Sequence, residues 1–241
     1  MKNKHIKILL IIPAYNEEEN ILHTYQKILE YNQKKKTNYD VIVINDGSKD
    51  NTSKICHENN IPVIDLIQNL GIGGAVQTGY KYAYQNNYDI AVQFDGDGQH
   101  DIKYVENIVK PIIDGQAEMT IGSRFIDKKS SEFQSSAARR IGINIISYFI
   151  KLKTKNKIYD TTSGFRAVNK NIIELFSISY PLEYPEPIST VEVLKYNRKV
   201  IEIPVSMNER EGGKSSIYSW KKAYYMVNVI LSILLTGKKV K

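Results

Sequence analysis

The sequence predicts an α/β fold built on a mostly parallel sheet flanked by helices. Four or five short apolar runs alternate with helical patterns through residues 6–125, the signature of a doubly wound sheet. Those runs end in polar, acid-bearing loops, and ligands on such sheets bind beyond the carboxyl ends of the strands.

The first strand is expected over residues 7–12, stopped by Pro13. Asn16 is placed to cap a helix whose first turn carries Glu17, Glu18 and Glu19, acids that suit the positive end of a helix dipole. Ile21, Leu22, Tyr25, Ile28 and Leu29 continue it at helical spacing. Strands follow at 39–44, 62–67, 90–94 and 119–122, with helices at 75–85 and 105–113 and Asp50 expected to cap a short helix. Beyond Gly122 the order changes. A Ser-rich loop over 124–137 precedes a helix that starts with Arg139 and Arg140 and carries Ile141, Ile145, Ile146, Phe149 and Ile150. Helices near 172–176 and 189–196, a strand at 200–205 and a basic loop at 209–216 lead to an apolar final helix. The chain reads as one domain: a nucleotide-sugar-binding half at 6–125, an acceptor half at 126–217 and a C-terminal helix within 218–241.

The 241 residues are ample for a core, and 33 Lys+Arg against 26 Asp+Glu give a net charge of +7. That charge suits phosphorylated ligands, anionic lipid or nucleic acid; no dense basic stripe or nucleic-acid-binding module is found, so no nucleic-acid partner is expected. The single cysteine, Cys56, excludes an internal disulfide and suits a reducing cytoplasm. Residues 6–12 are too short for a secretory apolar core. No stretch reaches the roughly 20 apolar residues of a membrane span. The nearest, 223–236, contains Asn228 and Ser232 and reads equally as a core or partner-packing helix and as a membrane-surface helix.

The stretch Phe94-Asp95-Gly96-Asp97-Gly98-Gln99-His100-Asp101 carries the chemistry. A buried strand delivers two carboxylates to its C-terminal edge with one glycine between them. Hard cations such as Mg²⁺ or Mn²⁺ bind through one or two carboxylates and keep positions for water and substrate phosphate. Alone, Asp-Gly-Asp reads equally as a polar turn. The acids after the first and second strands share its sheet edge, and that convergence favours the metal site. Gly71-Ile72-Gly73-Gly74 is not a dinucleotide fingerprint, because Val76 stands where its third glycine belongs. Close backbone packing near a nucleotide is the milder reading of Gly73.

Five motifs occur in order: Pro13-Ala14-Tyr15-Asn16-Glu17-Glu18, Asn45-Asp46-Gly47-Ser48 with Asp50, Asp95-x-Asp97-x-Gln99-His100, Gly122-Ser123-Arg124 and Ser163-Gly164-Phe165-Arg166. Over residues 6–217 the chain resembles the family 2 glycosyltransferases of GT-A fold, within them the dolichyl- or polyprenyl-phosphate sugar transferases. The resemblance implies a nucleotide-diphosphate-sugar donor, Mg²⁺ or Mn²⁺ on Asp95, Asp97 and Gln99, and Asp97 among the catalytic residues. Pro13, Tyr15 and Glu17 would line the nucleoside pocket, Asp46 would hold the base, and Gly73 and Lys214 would lie on the donor. Arg210 shares the late loop with Lys214. Arg124, Arg139 and Arg166 would bind an acceptor phosphate. The resemblance also implies work at the cytoplasmic face of a membrane, with the final helix able to pack against a membrane protein.

Tyr184-Pro185-Glu186-Pro187 stands where the family often reads Tyr-Glu-Phe and is similar to bacterial surface-polysaccharide transferases, which leaves the acceptor open. A lipid phosphate is already anionic and needs no base; arginines position it. A sugar hydroxyl must lose its proton, and Glu186, or second to it Asp160, is the candidate base. Two other classes stay in view. A nucleotidyltransferase would carry a basic glycine-rich loop after the first strand, where this chain has acids. A silent nucleotide-sugar-binding subunit would not need Asp95, Asp97 and Gln99 intact.

Overall fold

The computed structural model describes residues 6–126, 137–207 and 219–237. Its strands are β1 (Ile8–Ala14), β2 (Tyr39–Asn45), β3 (Val63–Asp65), β4 (Ile90–Gln93), β5 (Met119–Ser123), β6 (Arg166–Asn169) and β7 (Val200–Pro204). The helices are α1 (Ile21–Lys35), α2 (Thr52–Glu58), α3 (Gly71–Gln85), α4 (Val105–Ile113), α5 (Ala137–Thr154), α6 (Lys170–Ile178), α7 (Pro185–Lys195) and α8 (Ser219–Leu235). All seven strands form one sheet of order β3-β2-β1-β4-β6-β5-β7. Every pairing is parallel except those of β6, which runs against β4 and β5. The α/β architecture expected from the alternating runs is present.

Period-2 alternation along each central strand sends successive side chains to opposite faces. Leu9, Ile11, Ile42, Ile44 and Ala91 enter one apolar layer, shared with Val76 and Tyr80 of α3 and Ile172 and Phe176 of α6. Leu10, Ile12, Val41, Val43 and Val92 enter the other, with Ile21 and Ile28 of α1 and Ile108 of α4. Burial on both faces is why these strands read as continuous Ile/Leu/Val rather than as alternating patterns.

Four local expectations are corrected. Asn16 does not cap α1: its φ is +55° and the helix begins at Ile21, after a turn in which the Glu17 carbonyl accepts from the Asn20 and Ile21 amides. The Asn16 side chain instead accepts from the Lys49 amide, tying the β1 loop to the β2 loop. The third strand is only Val63–Asp65, and Ile67 is fully solvent-exposed. Strand β6 was not expected; its four residues are too few for a period to register. Helix α7 starts at Pro185, not 189, because proline supplies the helical φ at its first position while Tyr184 takes φ +50° to turn the chain into it. The Ser-rich and late basic loops lie largely outside the described residues.

Gly73 is fixed by packing. A Cβ there would stand 2.5 Å from the carbonyl oxygens of both Pro181 and Leu182, so α3 passes against that backbone only because the side chain is missing. Gly73→Ala is expected to lower stability by about 1–3 kcal/mol, the range for forcing extra methylenes into a packed site. Urea denaturation measures it, and an unchanged midpoint refutes the packing role.

Candidate active site

The site is assembled at the carboxyl edge of β1, β2, β4 and β5. The β1 and β2 loops are laced together: the Asn16 amide donates to Ser48 Oγ at 3.0 Å, the Glu17 amide to Thr52 Oγ1 at 2.9 Å, and the Glu18 amide to Asp50 Oδ2 at 3.1 Å. Asp50 also accepts from the Thr52 amide at the start of α2, at 2.9 Å. Glu17 accepts from the Asn20 side chain at 2.9 Å. Tyr15 is exposed, and Pro13 sits at the end of β1 opposite Ile44. Asp46 is buried, its carboxylate accepting from the Leu70 amide at 2.7 Å, which draws the β3–α3 loop onto β2. Gly73 packs against the backbone of Pro181 and Leu182.

Strand β4 delivers Asp95 half-exposed and Asp97 buried, the latter accepting from the Gln99 amide at 3.1 Å. A Cβ at Gly164 would stand 3.2 Å from both Asp95 carboxylate oxygens and 3.0 Å from the Gln93 amide nitrogen. Glycine there keeps the face of Asp95 clear. Among the described residues no group of three or more acidic, His or Cys side chains is gathered to hold a metal. Two carboxylates with open space suit a hard divalent ion whose other ligands come from substrate and water.

His100 was quoted in the motif but given no role. The Asp95 amide donates to its Nδ1 at 2.9 Å, so the ring proton sits on Nε2, 3.3 Å from Asp95 Oδ2. One imidazole thus grips Asp95 by backbone and side chain together. The ring stacks on Phe165 at 4.6 Å and meets Phe94 edge-on at 5.6 Å. Burial pushes its pKa down to about 3, aided by Arg124 and opposed by Asp97 and Asp160, so the ring is neutral. A histidine one residue beyond the last metal-type ligand was the available signal.

The arginines are where the sequence reading needs correction. Arg124 is buried and bidentate to Asp160, through Nε at 2.7 Å and Nη2 at 2.8 Å, with its amide adding a third bond at 3.1 Å. The fork expected to meet a phosphate meets a carboxylate, and Asp160, fully buried in that pair, is not placed as a base. Arg166 is 1% exposed. Its Nε donates to the Ser163 carbonyl at 2.7 Å, and Nη1 donates to the Glu186 carbonyl at 2.7 Å, Ser189 Oγ at 3.0 Å and Thr190 Oγ1 at 3.1 Å. It organises the first turn of α7 from the interior instead of binding a phosphate at the surface. Arg139 lies in the first turn of α5, its side chain outside the described residues, as are Arg210 and Lys214. Arg140 is exposed, its guanidinium 5.1 Å from the Phe125 ring centroid; Arg124 lies 5.3 Å from the same ring.

Glu186 is brought near Asp95. It stands half-buried in the first turn of α7, accepts from the Gln93 side chain and feels the charge of Asp95. Burial raises its pKa, Asp95 adds to the rise, and Arg166, its own amide and Gln93 oppose it. Gln93 faces Arg166 as a cross-strand pair between β4 and β6. Sequence reading missed Gln93, whose signal was a lone polar residue in an apolar strand.

A model described as Glycosyl transferase family 2 matches residues 9–176. The chain belongs to that family, and it is a glycosyltransferase of GT-A fold. A UDP-N-acetylglucosamine–dolichyl-phosphate N-acetylglucosaminyltransferase of Methanococcus voltae is 34% identical over 219 residues, 82% of this chain and 84% of the relative. An undecaprenyl-phosphate mannosyltransferase of Micrococcus luteus is 24% identical over 232 residues, 93% of each chain. Glucosyl-3-phosphoglycerate synthase of Mycobacterium tuberculosis, solved with Mn²⁺, UDP and phosphoglyceric acid, superposes with a TM-score of 0.66 at 16% identity, covering 95% of this chain and 78% of that one. At that identity the likeness is one of fold.

Two outcomes test this geometry. Asp160→Asn strands a buried guanidinium and is expected to cost about 3–5 kcal/mol in chemical denaturation; a loss within the range of ordinary surface changes refutes the pairing. Glu186 holds its proton in the folded state where the unfolded chain has lost it. Its contribution is therefore fully present below the ordinary value of 4.5 and declines as pH rises through the raised value. Glu186→Gln should flatten that decline, and a profile superimposed on the wild type would show that the carboxyl is not perturbed.

Proposed function

We propose that this protein moves a sugar from a nucleoside-diphosphate sugar to a polyprenyl phosphate, with inversion at the anomeric carbon and with Mg²⁺ or Mn²⁺ as cofactor. The observation that carries this reading is the pair Asp95 and Asp97 at the edge shared with the laced β1 and β2 loops, with Glu186 near Asp95. Asp95 and Asp97, with Gln99 next to them, would hold the metal, and their hard oxygen donors and the clearance at Gly164 fit it. When bound, such an ion neutralises charge on the leaving nucleoside diphosphate. The Mycobacterium tuberculosis neighbour, crystallised with Mn²⁺ and UDP, supports donor and metal by analogy.

The protein's own groups divide the remaining work. Tyr15, Glu17, Pro13 and Asp46 form the wall that receives the nucleoside. His100 keeps the Asp95 carboxylate turned outward. The acceptor phosphate is met by the basic turn at the start of α5, Arg139 and Arg140, which begins beside the buried Arg124–Asp160 pair. A phosphate oxygen is already a nucleophile, and the names of the Methanococcus voltae and Micrococcus luteus relatives support this acceptor class. The enzyme works at the membrane surface that holds such a lipid.

A second reading, transfer to a sugar hydroxyl, is favoured by one observation: the raised pKa of Glu186 next to Asp95 suits a general base, which supplies about 10²–10⁴-fold. Measuring labelled sugar transfer to polyprenyl phosphate and to a glycosylated lipid separates the two. Asp97→Ala is expected to lower transfer by about 10³-fold, the upper range for losing one electrostatic contact to the reacting groups, with an unchanged circular dichroism spectrum. Wild-type turnover by that variant in the presence of chelator sinks the metal-site reading.

A further inference from the structure

Helices α5 and α8 pack on each other and on α7, and each is apolar on two sides. Inward, Ile143, Ile146 and Ile150 of α5 and Val229 and Ile233 of α8 are buried. Outward, α5 exposes Ile141, Ile145, Tyr148 and Leu152, spaced as one helical stripe and between 40% and 63% accessible. Alongside it α8 exposes Val227, Leu231, Leu234 and Leu235. The outer face of a helix in contact with water is ordinarily polar, and exposed apolar side chains gathered on two packed helices mark an interaction surface. Lys153 Nζ donates to the Leu234 carbonyl, and Lys195 Nζ donates to the Thr236 carbonyl at 2.9 Å, holding the end of α8 in register with its neighbours.

Charge selects the occupant. Residues 137–157 and 219–241 contain eleven Lys or Arg and no Asp or Glu, in a chain with 26 acids. Lys151, Lys155 and Lys157 are exposed at the end of α5 and just beyond it, and Arg140 is exposed at its start. A second copy of this face would bring like charge against like. An apolar stripe bordered by basic side chains, with a tyrosine on the stripe, matches the boundary of a bilayer with anionic headgroups. Among the described residues no helix is long and apolar enough to cross a membrane.

We propose that the outer face of α5 and α8 docks flat on an anionic lipid bilayer. The inference rests on exposure and charge and stands apart from the reaction. It deepens the proposed reading in one respect: the stripe starts next to Arg140, which shares Phe125 with Arg124, so a docked protein presents the acceptor side of its site to the lipid surface.

The test uses the full chain and phosphatidylcholine vesicles with or without phosphatidylglycerol, and no polyprenyl lipid. Failure of the transferase reading therefore leaves the result untouched. Wild-type protein is expected to sediment with the anionic vesicles and to be released as salt rises. Ile141→Asn with Leu231→Asn, both at exposed positions, should lower partitioning by about tenfold or more. Lys151→Gln with Lys155→Gln should lower it by about fivefold per charge removed. Circular dichroism checks that the variants are folded. Wild-type protein that stays in the supernatant, or folded variants that bind like wild type, overturns the proposal. Concentration-dependent dimerisation abolished by Leu231→Asn would give the face to a second copy and overturn it as well.

Discussion

The direction of β6 is the constraint on which the rest of the structure depends. Because it runs against β4 and β5, its first residues arrive at the edge where those strands end. That single reversal sets Gly164 against Asp95 and Arg166 opposite Gln93. Arg166 then reaches the start of α7 and holds the Glu186 carbonyl together with Ser189 and Thr190. A parallel β6 would carry these groups to the far end of the sheet, and neither the clear face of Asp95 nor the location of Glu186 would survive.

Burying that much polarity is expensive unless each group is bonded. The structure meets the demand with interlocking pairs: Arg124 with Asp160, the Asp160 and Tyr159 amides with the Glu202 carboxylate at 2.8 and 2.7 Å, and His100 with Asp95. Glu202 is itself held toward its neutral form by burial, against the amides that donate to it. The polar interior around Arg166 is less complete. Gln93 Oε1, Arg166 Nη2 and the hydroxyl of Tyr80 are buried without a protein partner. Buried polar atoms grouped in this way are ordinarily met by ordered water.

Much of this was legible from residues. The parallel core declared itself because Ile8 to Ile12 and Val41 to Ile44 are apolar at nearly every position, and the place of the two aspartates at the carboxyl edge of β4 followed from the apolar run before them. What was not legible depended on pairing. An arginine in Ser-Arg or Phe-Arg looks like a phosphate ligand until its carboxylate or carbonyl partner is known, and Asp160 and Glu186 are distant in sequence from Arg124 and Arg166. Strand β6 has four residues and no room for a period, and Asn16 looked like a cap because its αL turn leaves no trace in composition. The first turn of α7 was hidden by its two prolines, which read as loop although proline is welcome at the start of a helix.

Helix α5 joins these features. Its first turn stands beside the Arg124–Asp160 pair, its inner face closes the apolar layer over α7, and its outer face carries the exposed stripe. A phosphate on a long isoprenoid chain is confined to the headgroup plane of its bilayer. An enzyme for such an acceptor must hold its donor dry and fixed at a height set by that plane. The β1 and β2 loops are fastened to each other and the Asp95 amide to His100, which on the proposed reading ties the donor side together. The first turn of α5 adjoins the apolar stripe on the same helix, and its Arg140 meets Phe125. On the proposed reading, the same helix sets the height of the site above the lipid and supplies the cations that meet the phosphate there, so docking and acceptor positioning are one structural decision.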